Sequence, residues 1–124
     1  MKKQLVIFGV GELGQLAQFY FSNDSDYEVV AFTVDRAYVT ESEYLGLPLV
    51  PFDELKKTYP PAEYELYVAI GYTKLNENRI KKYYEAKSKG YSLASYVSSK
   101  SSQWKDLKVG ENTFIMEGNT IMPF

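Results

Sequence analysis

The chain has 124 residues, 45% hydrophobic and 24% charged, with a formal net charge of −2. That suits one globular domain plus the start of another, and it offers no general electrostatic reason to bind nucleic acid or an anionic membrane. With neither cysteine nor histidine, disulfides, thiolate catalysis, Cys- or His-ligated metals and any imidazole base within the chain are excluded.

Gln4 to Phe8 is a short apolar run closed by Gly9, which reads as a buried parallel strand. Met1-Lys2-Lys3 leads into only Leu5 to Val10, shorter than the apolar region expected of a secretory signal, and no apolar run approaches the roughly 20 residues of a membrane span. A helix is predicted over Glu12 to Asn23 with Leu13, Leu16, Ala17, Phe19 and Tyr20 inward, ended by Asn23-Asp24-Ser25-Asp26. Glu28 to Val34 is a second strand, closed by Asp35-Arg36. A polar connection through Tyr44 leads to a third strand, Leu47 to Val50, and Pro51 opens a helical turn or two over Phe52 to Lys57.

After the break at Pro60-Pro61, Leu66 to Ile70 forms a fourth strand ending at Gly71. Leu75 to Lys89 is a long amphipathic helix with Leu75, Ile80, Tyr83, Tyr84 and Ala86 inward and Gly90 as its C-terminal cap. Tyr91 to Val97 makes a fifth strand. Strands alternating with helices predict an α/β fold, a small parallel sheet wound on both faces. From Val109 an aliphatic residue recurs every six positions, at Val109, Ile115 and Ile121, the hexad rhythm of a β-helix. The expected division is a first domain over 1–105 and the start of a β-helix over 106–124, in a longer parent protein, because a single coil needs about 18 residues and several coils must stack to bury a core.

Charge is segregated: 24–65 holds ten acidic residues against Arg36, Lys56 and Lys57, and 74–108 holds nine basic residues against Glu77, Glu85 and Asp106. The basic run reads as a solvated helix face, with an anion-attracting rim as the alternative.

The chemistry-bearing pattern is Gly9-Val10-Gly11-Glu12-Leu13-Gly14, G-x-G-x-x-G between a predicted strand and a predicted helix. The first glycine suits a tight turn, the second lets a pyrophosphate approach the backbone, and the third permits close helix–strand packing beneath the helix N–H groups. Asp35 stands about 20 residues further on at a strand end, where it offers a carboxylate to a ribose hydroxyl or a base N–H; the other reading is a solvated turn residue. Arg36 suits a phosphate or a neighbouring acid, Gly71 and Tyr72 occupy the same expected edge, and Asn76 and Arg79 lie one helical turn apart within reach of it.

In this order, a strand into Gly-x-Gly-x-x-Gly, a strand into Asp35, Ala69-Ile70-Gly71 with Arg79 in the next helix, a strand after Gly90 and hexads from Val109, the chain resembles bacterial sugar O- and N-acyltransferases of the sialic acid O-acetyltransferase and UDP-bacillosamine N-acetyltransferase type. The resemblance spans essentially the whole chain. It implies a Rossmann-like domain that holds a UDP- or dTDP-sugar, followed by a left-handed β-helix that trimerises, binds acetyl-CoA and supplies a catalytic histidine. The positions matching the binding residues are Gly9, Gly11, Glu12, Leu13, Gly14, Asp35, Arg36, Gly71 and Tyr72. Glu12-Leu13 stands where the family often has Gly-His or Gly-Gln, which sets a negative charge near the expected phosphate.

The resulting expectation is a cytoplasmic substrate-recognition domain of an acetyltransferase. It carries no catalytic residue, metal or cofactor of its own, is monomeric or weakly associated, and acetyl-CoA and a homotrimer are implied for the parent. Two alternatives remain. One is an NAD(H)-binding domain of an oxidoreductase or redox sensor, since Asp35 also suits a ribose diol, although the residues before the hexads leave little room for a second mononucleotide-binding half. The other is a ligand-free oligomerisation module.

Overall fold

The computed structural model describes residues 3–69, 77–97, 114–116 and 120–122, with side chains over 3–69 and 80–95. The strands are β1 (Lys3–Phe8), β2 (Tyr27–Val34), β3 (Glu43–Tyr44), β4 (Leu47–Pro51), β5 (Glu65–Val68), β6 (Tyr96–Val97), β7 (Phe114–Met116) and β8 (Thr120–Met122). The helices are α1 (Glu12–Asn23), α2 (Leu55–Thr58) and α3 (Glu77–Ser88). Five strands form one sheet in the order β3-β4-β2-β1-β5, with β4, β2, β1 and β5 mutually parallel and β3 antiparallel at the edge.

The apolar runs form central strands because both their faces are covered. Leu5 and Ile7 join Ala17 and Phe21 of α1, whereas Val6 and Phe8 join Phe52, Leu55, Tyr83, Ala86 and Tyr91 on the other side. Helices on both faces of a parallel sheet make this the doubly wound arrangement expected from the sequence. One irregularity sets the facing of β2: Leu5 pairs with Val29 but Val6 pairs with Ala31, so Val30 is an extra residue. This bulge lets Val29 and Phe32, three residues apart, share the α1 face.

The buried line of α1 runs through Gly14, Ala17 and Phe21, and Phe19, expected inside, is 55% exposed. Small residues at 14 and 17 let the helix axis approach the sheet there, and Phe19 lies about 200° around the axis from Ala17. In α3 the contact line runs through Tyr83 and Ala86, leaving Ile80 and Tyr84 exposed rather than inward as expected. Leu75 lies outside the described residues.

Two further differences concern the strands. β3 and β4 form a hairpin through Leu45 and Gly46, both at positive φ (51° and 79°), where the sequence suggested only a polar connection. The fifth strand is divided. Ser92 O accepts from Leu66 N at 3.0 Å and Ala94 N donates to Leu66 O at 2.8 Å, a short parallel extension beside β5. Tyr96–Val97 instead pairs in parallel with β7 in a separate three-stranded sheet.

In that sheet β7 and β8 are antiparallel, with Ile115 opposite Ile121. These two hexad positions thus face each other across an antiparallel strand pair, no β-helix is seen among the described residues, and Val109 lies outside them. No helix among the described residues is long and apolar enough to cross a membrane.

Gly90 ends α3 at φ +97°, as expected of a C-terminal cap, and delivers Tyr91 into the core. Tyr91 donates its hydroxyl to Tyr59 O, and burial pushes its phenol from an ordinary value near 10 up to about 12. A folded-state value above the unfolded one means the fold favours the neutral phenol. That contribution is complete below pH 10 and is lost as pH rises from 10 through about 12. Tyr27, raised by its own burial and its bond to Glu65, acts with the same sign. Tyr91→Phe should therefore flatten, without abolishing, the fall in urea-unfolding stability across that window; an unchanged slope would show that Tyr91 is not its source.

Candidate functional site

All four parallel strands end at one edge. The register sets Phe8 beside Thr33 and Val68, and Val34 beside Pro51, so Gly9, Asp35, Phe52 and Ala69 follow the strand ends side by side. Open α/β sheets bind ligands at this carboxyl edge. Gly9 is tied into it by donating to Thr33 O at 3.0 Å, and Ala69 by donating to Phe8 O at 2.7 Å.

The three glycines of the turn have different surroundings. Gly9 has φ +122°, and a Cβ there would lie 2.6 Å from Ala69 O. At Gly14 a Cβ would fall 2.2 Å from Gly9 O, so its missing side chain lets α1 pack directly on the turn. Among the described residues Gly11 meets nothing within 4 Å, and its φ is an ordinary −81°. Neither backbone strain nor crowding by the described residues requires glycine at 11. It caps α1 and offers no capping side chain to the first N–H groups of the helix. Glu12 is exposed in that first turn and Leu13 is half-buried.

Tyr44 braces this turn from the edge of the sheet. Its hydroxyl donates to Val10 O and accepts from Gln15 Nε2 at 2.8 Å, while its ring meets Phe32 edge-on at 5.0 Å. No local sequence pattern marks Tyr44, because only the hairpin at Leu45-Gly46 brings it to the glycines.

Asp35 and Arg36 both have protein partners. Arg36 donates to Asp53 Oδ2 at 3.0 Å and Oδ1 at 3.1 Å, and also to Glu54. Those hydrogen bonds raise its pKa further and hold Asp53 below the usual carboxylate range. Of the two roles considered for Arg36, the neighbouring acid is the one seen. Asp35 Oδ1 accepts from Lys82 Nζ of α3 at 2.5 Å, so Asp35 is neither free nor simply a solvated turn residue. Lys82 also donates to Glu85 at 3.1 Å and sits 5.4 Å from the ring centroids of both Phe8 and Phe52. Burial pulls its ammonium pKa down, but the hydrogen bonds and charges of Asp35 and Glu85 outweigh this and leave it above the ordinary lysine value.

Lys82 is the second residue at this edge, after Tyr44, that the sequence did not single out. It lies within the basic run that reads first as a solvated helix face. Gly71, Tyr72 and Asn76 lie outside the described residues, as does the side chain of Arg79. The structure thus brings together Gly9, Gly11, Glu12, Leu13, Gly14 and Asp35, and turns Arg36 toward Asp53 and Glu54.

A cavity of about 550 Å³ lies at the opposite edge, lined by Lys3, Gln4, Glu28 and Ser92 together with the 61–65 segment. It adjoins the amino ends of the strands and is separate from the glycine turn. Among the described residues no group of three or more acidic side chains is gathered to hold a metal.

No protein-family model matches the chain, and no curated protein matches its sequence. Solved structures do match. The acetyltransferase domain of PglB from Neisseria gonorrhoeae FA1090 superposes with a TM-score of 0.74 at 21% identity, over 94% of this chain and 54% of that one. PerB from Caulobacter crescentus, in complex with CoA and GDP-perosamine, gives 0.73 at 23%, over 93% and 52%. A variant of perosamine N-acetyltransferase from the same organism gives 0.74 at 24%. The chain spans about half the length of the solved structures it matches. At these identities the likeness is one of fold: the chain has the fold of the N-terminal domain of these acetyltransferases.

Proposed function

We propose that the chain is the nucleotide-sugar recognition domain of an acetyl-CoA-dependent sugar acetyltransferase. The observation that carries this reading is the contrast among the three glycines. Gly9 and Gly14 are required by the fold, whereas a side chain at Gly11 would meet none of the described residues, which leaves the backbone accessible at the start of a helix. A diphosphate approaching over Gly11 would meet the first N–H groups of α1, and Asp35 would accept from a hydroxyl or N–H of the nucleoside. The fold shared with proteins solved with acetyl-CoA, or with CoA and GDP-perosamine, supports the same assignment.

The domain's contribution to acetyl transfer is orientation. Fixing the nucleotide end restricts where the sugar's amine or hydroxyl can lie, which enters the rate as effective molarity. The acetyl thioester and the base for the acceptor proton would come from outside this chain, which contains no histidine.

Thermal unfolding with UDP-, dTDP- and GDP-sugars and with NADH tests the ligand class. A bound ligand at 100 times its Kd adds about 2.7 kcal/mol, a shift on the order of 10 °C for a domain this size. The expected result is a shift with nucleotide sugars and none with NADH. A shift with NADH alone would assign a dinucleotide site, and no shift with any nucleotide would leave an oligomerisation module. Gly11→Val should keep the unliganded melting temperature and abolish the nucleotide shift, because its branched side chain fills the open approach. If Gly11→Val unfolds the domain, the glycine is structural and this reading fails.

A further inference from the structure

The ammonium of Lys82 does not sit where a solvated helix lysine would. Its side chain is only 14% exposed, against 42% for Asp35. It crosses from α3 to the end of β2, passing Phe8 at the end of β1 and Phe52 beyond β4. One charge thereby joins three strand ends and a helix, directly beneath the carboxyl edge.

The pairing is specific in its geometry. Nζ reaches Asp35 Oδ1 at 2.5 Å and Glu85 Oε2 at 3.1 Å, the latter one turn along the same helix. Glu85 fixes the lysine to α3, and the lysine in turn fixes Asp35. Asp35 is also the residue from which the 3₁₀ turn Arg36–Tyr38 starts, and its carbonyl accepts from Tyr38 N at 2.8 Å. With one carboxylate oxygen engaged by a largely buried cation, the rotation of the carboxylate is restrained, and Oδ2 keeps acceptor capacity for a ligand donor.

We propose that Lys82 is the positioning residue of this site, holding the Asp35 carboxylate in the one orientation that accepts a hydrogen bond from the nucleoside part of a nucleotide sugar, with Glu85 holding Lys82. The proposal rests on the nucleotide-sugar reading above. Lys82 acts through Asp35 and does not contact the ligand.

Calorimetric titration of the nucleotide sugar that gives the largest thermal shift, with a set of variants, tests this. Lys82→Met keeps the aliphatic stem over the two rings and removes the charge. It should weaken binding by up to about 10-fold, the scale of having to order a released side chain on binding. Lys82→Arg should recover most of that loss. In an Asp35→Ala background, Lys82→Met should have little further effect, because the residue through which it works is gone.

Additive losses in the double variant would mean that Lys82 meets the ligand itself, and unchanged affinity in Lys82→Met would remove its role; either result overturns the proposal. If the wild-type chain binds no nucleotide sugar, the nucleotide reading fails and the proposed role falls with it. The clamp itself is still read separately by the Asp35 carboxyl carbon resonance in the unliganded protein. That resonance should be displaced in Lys82→Met and restored in Lys82→Arg, and a resonance unmoved by Lys82→Met would overturn the positioning of Asp35.

Discussion

Gly14→Ala should be among the most destabilising single changes in this domain, lowering the urea-unfolding free energy by about 2–4 kcal/mol although it inserts only a methyl group. At an exposed helix position the same change would stabilise by about 1 kcal/mol, because alanine is the better helix former. Here the new Cβ would lie 2.2 Å from Gly9 O and 2.8 Å from Gly9 C. Both are backbone atoms of a turn already fixed by Thr33, so no flexible side chain can move aside. The helix must lift, and with it Ala17 and Phe21, both fully buried. Gly9→Ala should behave similarly, through its positive φ and its approach to Ala69. A Gly14→Ala protein as stable as wild type would show that α1 does not rest on the turn.

Phe32→Ala should lower stability by about 3–5 kcal/mol, the usual range for truncating a buried phenylalanine. Phe32 is fully buried on β2 and pairs with Ile7 on one side and Leu49 on the other. Its loss also removes the ring against which Tyr44 packs. The glycine turn should then lose part of its brace, so the proposed nucleotide binding should weaken even where enough folded protein remains to measure it. Phe32→Leu, which keeps much of the volume, should cost less stability but still weaken the Tyr44 contact. Equal urea midpoints for Phe32→Ala and wild type would contradict the burial of this side chain.

The sequence was most legible where one local pattern decided the outcome. The bounds of α1 coincide with the expected ones because Gly11 stands before them and a polar cluster follows. The strand–glycine turn–helix unit and the cap at Gly90 are likewise local. Which residues face inward was less legible, since hydrophobicity ranks Phe19 and Tyr84 as core while the line of closest approach is set by Gly14, Ala17 and Ala86. The roles of Tyr44 and Lys82 were not legible, because each depends on a partner 34 or 47 residues away. Asp35 and Arg36 were identified as site candidates from their position at a strand end. Their partners depend on how α3 and the Phe52–Glu54 turn pack against that end, which no short-range pattern encodes.

The hairpin that carries Tyr44 has a kinetic consequence. Its two loop residues both need positive φ, and while Gly46 adopts it freely, Leu45 at φ 51° works against a preference of roughly 1–2 kcal/mol. With only two residues in β3, the hairpin has little with which to offset that strain alone. It should close late in refolding, after β2 and β1 have paired and presented Phe32 and Val10 as docking points. The last event in assembling the domain would then be the one that steadies the glycine turn, so binding competence should trail the recovery of helical signal. Leu45→Asn, which suits the left-handed turn better, should shorten that delay.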